Sequence, residues 1–265
     1  MAGKFLQIQG LRIHYIESGE AGKPKLLLIH GLGGSIESWR EIFNELSKSF
    51  HVVAMDLPGF GKSDKPPLPY AVDYFADFIC RFMESTGFQP ATLIGHSMGG
   101  MISLMVYLRC REKIEGMVLI DAVGVSDVPA RKIREYMGDR WDMERLRKYY
   151  RECVLGRMGK LDETRLRDFL QMLEDGGFLR AYLLSLESIS RPIPLRSLGE
   201  VEVPTLIIWG SDDRVTPLGD GAKLSQVMAK SRLFVVEGAG HSPHSEAPEQ
   251  VIREIRNFVL KLKSA

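Results

Sequence analysis

Two periods of hydrophobicity alternate along this chain. Residues 25–30 (Lys-Leu-Leu-Leu-Ile-His) form a nearly unbroken apolar run, and 51–56, 91–95, 117–121, 205–209 and 233–237 repeat the pattern. Short runs of this kind mark strands buried on both faces. Between them, apolar residues recur at helical spacing over 36–46, 70–83, 98–110, 218–228 and 248–262. Strands that alternate with helices predict an α/β protein with a mostly parallel, doubly wound sheet covered on both faces. Near the start, 5–9 and 11–16 alternate apolar and polar positions around Gln9-Gly10, the pattern of an antiparallel hairpin at a sheet edge.

The alternation breaks once. From 125 to 201 no buried strand is evident, and charged helical pieces stand at 130–137, 143–154, 163–174 and 178–189. Pro192, Pro194 and Pro204 end the block. The expectation is an all-helical cap at 125–201, inserted into a core made of 1–124 and 202–265. Its inward faces, with Trp141, Tyr149, Tyr150, Phe169 and Tyr182 among them, are expected to roof a pocket.

Composition narrows the class. At 265 residues the chain suits one large domain, or a domain with an insertion. Lys and Arg number 35 against 34 Asp and Glu, so nothing points to nucleic acid or to an anionic membrane surface. No apolar run approaches the roughly 20 residues of a membrane span. Cys80, Cys110 and Cys153 are odd in number and widely spaced, each within a helical pattern. They read as reduced thiols rather than a disulfide framework or a zinc ligand set, and the expected location is cytoplasmic.

The chemistry centres on Gly95-His96-Ser97-Met98-Gly99-Gly100, where an apolar run stops and a helical pattern begins. A strand that turns directly into a helix strains its hinge residue, and the positions two before and two after it must be small. Gly95 and Gly99 occupy them. The hinge, Ser97, should stand out of the sheet beside a helix N-terminus, where free N–H groups favour developing negative charge. Its hydroxyl needs a base, and histidine is the usual one at neutral pH. Of the six histidines, His241 lies in the flexible run Gly238-Ala-Gly-His-Ser-Pro-His244 after the last strand, at a carboxyl end where ligands gather. His244 is the reserve base, His14 is expected at the surface, and His30 and His96 end strands close to Ser97. The expected acid is Asp213, with Asp212 serving local backbone donors and Asp121 as the alternative. The backbone N–H groups of Leu32 and Met98 are expected to form an oxyanion hole. His30, His96, Trp141 and Ser242 are the candidate pocket residues.

The glycine-rich runs invite nucleotide readings, which fail on detail. Ile36 stands where a dinucleotide fingerprint needs its third glycine, and Asp56 replaces the first glycine of a phosphate loop ending at Gly61-Lys62-Ser63.

Along nearly its whole length the chain resembles the α/β-hydrolase fold superfamily. The matching stretches are His30-Gly-Leu-Gly-Gly34, Asp56-Leu-Pro-Gly-Phe-Gly-Lys-Ser-Asp64, Gly95-His-Ser-Met-Gly-Gly100, Trp209-Gly-Ser-Asp-Asp-Arg-Val-Thr-Pro217 and Gly240-His-Ser-Pro-His-Ser-Glu-Ala-Pro248. The chain order Ser97, Asp213, His241 is also that of the family. The resemblance implies a serine carboxylesterase-like enzyme that acts on a small-molecule ester and water without metal or cofactor. Dehalogenase and epoxide hydrolase branches use an aspartate nucleophile, where this chain has Ser97. Hydrolases of aromatic ring-fission products usually carry Asn before the serine and Trp after the histidine, where this chain has His96 and Ser242. Cofactor-free haloperoxidases share the Ser-Met-Gly-Gly run. Lactonases, thioesterases and ligand receptors on the same scaffold are the remaining alternatives.

Overall fold

In the computed structural model, which describes residues 3–138 and 141–263, eight strands form one sheet. They are β1 (Lys4–Ile8), β2 (Leu11–Ser18), β3 (Lys25–Ile29), β4 (His51–Met55), β5 (Ala91–His96), β6 (Ile114–Ile120), β7 (Thr205–Gly210) and β8 (Ser231–Val236). Their order across the sheet is β1-β2-β4-β3-β5-β6-β7-β8. β2 pairs antiparallel with both β1 and β4, and every other pairing is parallel.

Eleven α-helices lie among the described residues. Those before β6 are α1 (Phe43–Ser47), α2 (Val72–Thr86) and α3 (Met98–Cys110). Between β6 and β7 come α4 (Val128–Met137), α5 (Met143–Tyr149), α6 (Glu163–Met172), α7 (Gly176–Ser188) and α8 (Leu195–Leu198). The last three are α9 (Leu218–Val227), α10 (Pro243–Glu246) and α11 (Pro248–Leu262).

The apolar runs are apolar throughout because successive side chains enter two different cores. Leu27 and Ile29 of β3 pack with α2 and α3, whereas Leu26 and Leu28 pack with α1 and α11 on the other face. The same split recurs in β7, where Ile207 and Trp209 face one core and Leu206 and Ile208 the other. β3 and β5 sit mid-sheet, so the loops leaving their carboxyl ends meet over its centre.

Several local expectations change. The predicted helix over 36–46 is a 3-10 turn at Ile36–Trp39 followed by α1. Ser35 caps the turn by accepting from Glu37 N–H, and Asp56 Oδ1 accepts from Ile36 N–H at 2.7 Å. α2 runs three residues further than its pattern implied and stops at Gly87, whose φ of +63° is left-handed. Past Tyr149, α5 widens into a π turn at Tyr150–Val154.

Two corrections concern chemistry. Cys80 of α2 and Cys110 at the end of α3 are joined in a disulfide, and only Cys153 is free. Their spacing of 30 residues hid the pairing, because it follows from how α2 lies against α3 and not from sequence proximity. His14 is buried, not superficial. Its Nδ1 lies 2.7 Å from Asp56 Oδ2, which also accepts from Lys62 N–H at 2.8 Å. Asp56 therefore ties β2, the Ile36 turn and the 57–63 loop together, which accounts for the stretch that resembled a phosphate loop. No helix among the described residues is long and apolar enough to cross a membrane.

Candidate active site

β5 ends at His96, and Ser97 takes φ +52° and ψ −116° before α3 starts at Met98. This is a left-handed conformation that costs free energy for any residue with a side chain. Packing compels it. A Cβ on Gly95 would lie 2.2 Å from the Gly99 carbonyl oxygen, and one on Gly99 would lie 2.0 Å from the Ile29 carbonyl oxygen. The helix thus starts hard against two strands, and only glycines allow it. Ser97 N–H is held by the Ile120 carbonyl at 2.9 Å, which locks the turn to β6.

His241 reaches this serine from the loop after β8. Its Nε2 lies 3.0 Å from Ser97 Oγ, and its Nδ1 lies 2.8 Å from Asp213 Oδ2. Asp213 Oδ1 accepts from Val215 N–H at 2.7 Å and Thr216 N–H at 3.0 Å. The Thr216 hydroxyl also donates to Asp213 Oδ2 and lies 3.2 Å from His241 Nδ1. A carboxylate held by this many donors keeps its orientation. Asp213 therefore takes the local backbone donors that were expected to go to Asp212. Asp212 instead pairs with Arg157 of the helical insertion at 2.9 Å.

Asp121, the alternative acid, sits behind this array and does not touch His241. It is fully buried, with Oδ1 accepting from Gly210 N–H at 2.9 Å and Oδ2 without a partner. Burial, reinforced by the charge of Asp213, pushes its carboxyl well above the usual range. It is a buried carboxyl with a single donor beside one that several donors hold.

The other histidines have distinct places. His96 Nε2 donates to the His241 backbone carbonyl at 2.6 Å, so the residue before the serine steadies the loop that carries the imidazole. His244, the reserve base, stacks on His96 and Trp39 with ring centroids 4.6 and 5.0 Å away, and makes no hydrogen bond to Ser97. Burial lowers both His96 and His244, the latter to about 3. His30 does not reach the pocket, which corrects its candidacy. Its Nδ1 donates to the Gly31 carbonyl at 2.8 Å and its Nε2 accepts from Leu57 N–H at 3.0 Å. Beneath the 31–34 turn it acts as a peg, kept neutral by burial.

A cavity of about 400 Å³ opens over Ser97, within the usual range for small-molecule sites. His96, Trp141 and Ser242 line it, as do Leu32 and the imidazole of His241. Leu32 N–H and Met98 N–H have no acceptor among the described residues. Gly33, at φ +69°, lies so close beneath Phe169 and Tyr182 that a Cβ there would stand 2.9 and 3.1 Å from their rings.

Sequence reasoning missed two contributors. Thr216 lies inside a matching stretch, but a hydroxyl bridging two partners has no sequence signature. The π turn was invisible for the same kind of reason, and its Val154 carbonyl accepts from His241 N–H at 2.7 Å. The insertion thus braces the imidazole-bearing loop directly.

This fold, with a strained serine between β5 and α3 and an imidazole and carboxylate in line with it, places the protein in the class of α/β hydrolases. The sequence model of the alpha/beta hydrolase family matches residues 26–254, and the chain belongs to that family. A 2-hydroxy-6-oxo-6-(2'-aminophenyl)hexa-2,4-dienoic acid hydrolase of Metapseudomonas resinovorans is 27% identical over 265 residues, covering 97% of this chain and 90% of that one. Epoxide hydrolase 4 of Mus musculus is 28% identical, with 91% of this chain and 74% of that one aligned. Among solved structures, a membrane phospholipase A described as a bacterial virulence factor matches with a TM-score of 0.86 at 27% identity, over 100% of this chain and 87% of that one. Membership makes the protein a hydrolase.

Proposed function

We propose that the protein is a serine hydrolase that cleaves carboxylic esters of small to medium acyl groups through an acyl-enzyme. The observation that carries this reading is the relay Ser97 Oγ, His241 Nε2, His241 Nδ1, Asp213 Oδ2, with steps of 3.0 and 2.8 Å. His241 takes the Ser97 proton as Oγ attacks the ester carbonyl, and Asp213 stabilises the imidazolium. The oxyanion forms against the N–H groups of Leu32 and Met98, which are free to donate. His241 then protonates the departing alcohol, and water attacks the acyl-enzyme with the same imidazole as base. Every proton has a donor and an acceptor among these residues, so the scheme needs no metal or cofactor.

Residues 125–201 act in this reading as a cap on a core of 1–124 and 202–265. The cap sets which esters fit. Epoxide opening on this scaffold calls for a carboxylate nucleophile, and Ser97 stands in that place. Carbon–carbon bond hydrolysis is the second reading, favoured by the similarity to the dienoic acid hydrolase.

The test is a kinetic panel of nitrophenyl esters of rising acyl length, beside a lactone, a thioester and a ring-fission dienoate. Short and medium esters should turn over and react fastest, and Ser97→Ala should abolish turnover while the protein stays folded by circular dichroism. Turnover retained in Ser97→Ala, or acylation of Ser97 by a fluorophosphonate with no ester turned over, would overturn the reading.

A further inference from the structure

Three tyrosines of the helical insertion have no part in the reaction described above. Tyr149 closes α5, Tyr150 opens the π turn, and Tyr182 projects from α7; all three line the cavity over Ser97. Their rings are well packed. Tyr149 and Tyr150 meet edge to face at 6.0 Å, and Tyr182 stands edge-on to Trp141 at 5.2 Å.

Their hydroxyls are a different matter. None of the three has a hydrogen-bond partner among the described residues, and all three residues line the cavity. Three tyrosines elsewhere use theirs internally: Tyr70 donates to the Pro66 carbonyl, Tyr136 donates to Glu152, and Tyr107 accepts from Glu202 N–H. A phenol in a largely buried wall needs an acceptor, because its lost hydration is otherwise uncompensated. Burial raises the titration of all three above the ordinary phenol value, and so they remain neutral donors.

Charge around the cavity narrows the acceptor. Arg165 lines it but is held by Glu41 at 3.1 Å, while Glu37 and Asp168 stand exposed at the wall. An anionic group would meet two carboxylates and a cation already paired. A plain hydrocarbon would leave three donors dry. An uncharged oxygen acceptor satisfies both conditions.

We propose that Tyr149, Tyr150 and Tyr182 form a donor subsite that selects substrates with an uncharged oxygen acceptor, such as a keto, ether or second ester oxygen, a few carbons from the scissile carbonyl. The proposal rests on the ester reading for the bond cleaved and adds the substrate class.

The experiment uses matched pairs on each side of the ester. Nitrophenyl hexanoate is compared with nitrophenyl 5-oxohexanoate, and hexyl acetate with 5-oxohexyl acetate. In the wild type the oxo member of at least one pair should lead its partner by about tenfold or more in kcat/KM, a difference of about 1.4 kcal/mol. Tyr149→Phe, Tyr150→Phe and Tyr182→Phe, singly and together, should bring that ratio towards one. Amide analogues of the same pairs, titrated into Ser97→Ala by calorimetry, read the subsite without turnover. Selective binding that the Phe substitutions erase, with no ester turned over, would uphold the subsite and sink the ester reading. Turnover with equal rates within both pairs, or an oxo preference untouched in the triple variant, would sink the subsite and leave the ester reading standing.

Discussion

Asp213 and Asp121 both follow central strands and both are buried, yet the protein treats them oppositely. Two backbone N–H groups, a hydroxyl and an imidazole surround Asp213, whereas Asp121 receives one N–H and keeps an unpartnered oxygen. Asp213→Asn should therefore cost roughly four orders of magnitude in kcat, because the amide no longer fixes the imidazole tautomer. Asp121→Asn should leave kcat within a few-fold, since the amide oxygen still accepts from Gly210 N–H and residue 121 makes no hydrogen bond to His241. Its effect on stability has a definite sign. A carboxyl whose folded pKa is raised contributes stability that is complete below its unfolded value, near 3.9, and is lost as pH rises through the folded value. The Asn variant should melt at the same temperature as wild type or higher at pH 8, with the gain shrinking towards pH 4. A kcat collapse confined to Asp121→Asn would reverse the two assignments.

At the scale of elements, the π turn and the 238–241 loop press together with no side chain between them. A Cβ on Gly240 would lie 2.2 Å from the Val154 carbonyl oxygen, and one on Gly156 would lie 2.4 Å from that of Gly238. Gly240→Ala must displace one segment from the other and carry His241 with it. A shift of about 1 Å at a catalytic group costs on the order of a hundredfold. The expected result is that loss in kcat, with a near-UV spectrum close to wild type; unchanged kcat would mean that the brace does not position the imidazole. The disulfide between α2 and α3 is testable by counting thiols. The denatured, unreduced protein should titrate one thiol, Cys153, and three after reduction. In the chain-entropy account, closing a loop of 30 residues stabilises the fold by roughly 3.5 kcal/mol, so reductant should lower the melting temperature.

Across the whole molecule, buried histidines and the buried carboxyl of Asp121 pull the response to acid in opposite directions. The folded protein keeps His244 neutral down to about 3, and burial also lowers His96 and His30. In the unfolded chain an imidazole binds its proton near 6.5. Between roughly 6.5 and 3 the unfolded state therefore carries protons that the native state refuses, and stability present above 6.5 is lost as pH falls. Between pH 7 and pH 4, His244→Gln should make melting temperature fall less, or rise more, than in the wild type. Equal slopes for the two proteins would show that His244 does not contribute.

Much of this was legible in the amino-acid order because it depends on local rules. Continuous apolar runs marked β3 through β7, since a strand covered on both faces has no polar side to show. Gly95 and Gly99 marked the elbow, since the strained turn at Ser97 allows nothing larger beside it. The order of Ser97, Asp213 and His241 along the chain, each at the carboxyl end of a strand, pointed to three side chains that stand in a row, His241 at 3.0 Å from Ser97 and 2.8 Å from Asp213. Only the folded chain decided the rest. Which aspartate meets the imidazole, that His30 is a peg while His96 holds the loop, that Cys80 meets Cys110, and that Val154 braces His241 all depend on contacts between distant segments. Burial and partners set those properties, and neither is a property of a residue or of its neighbours in the chain.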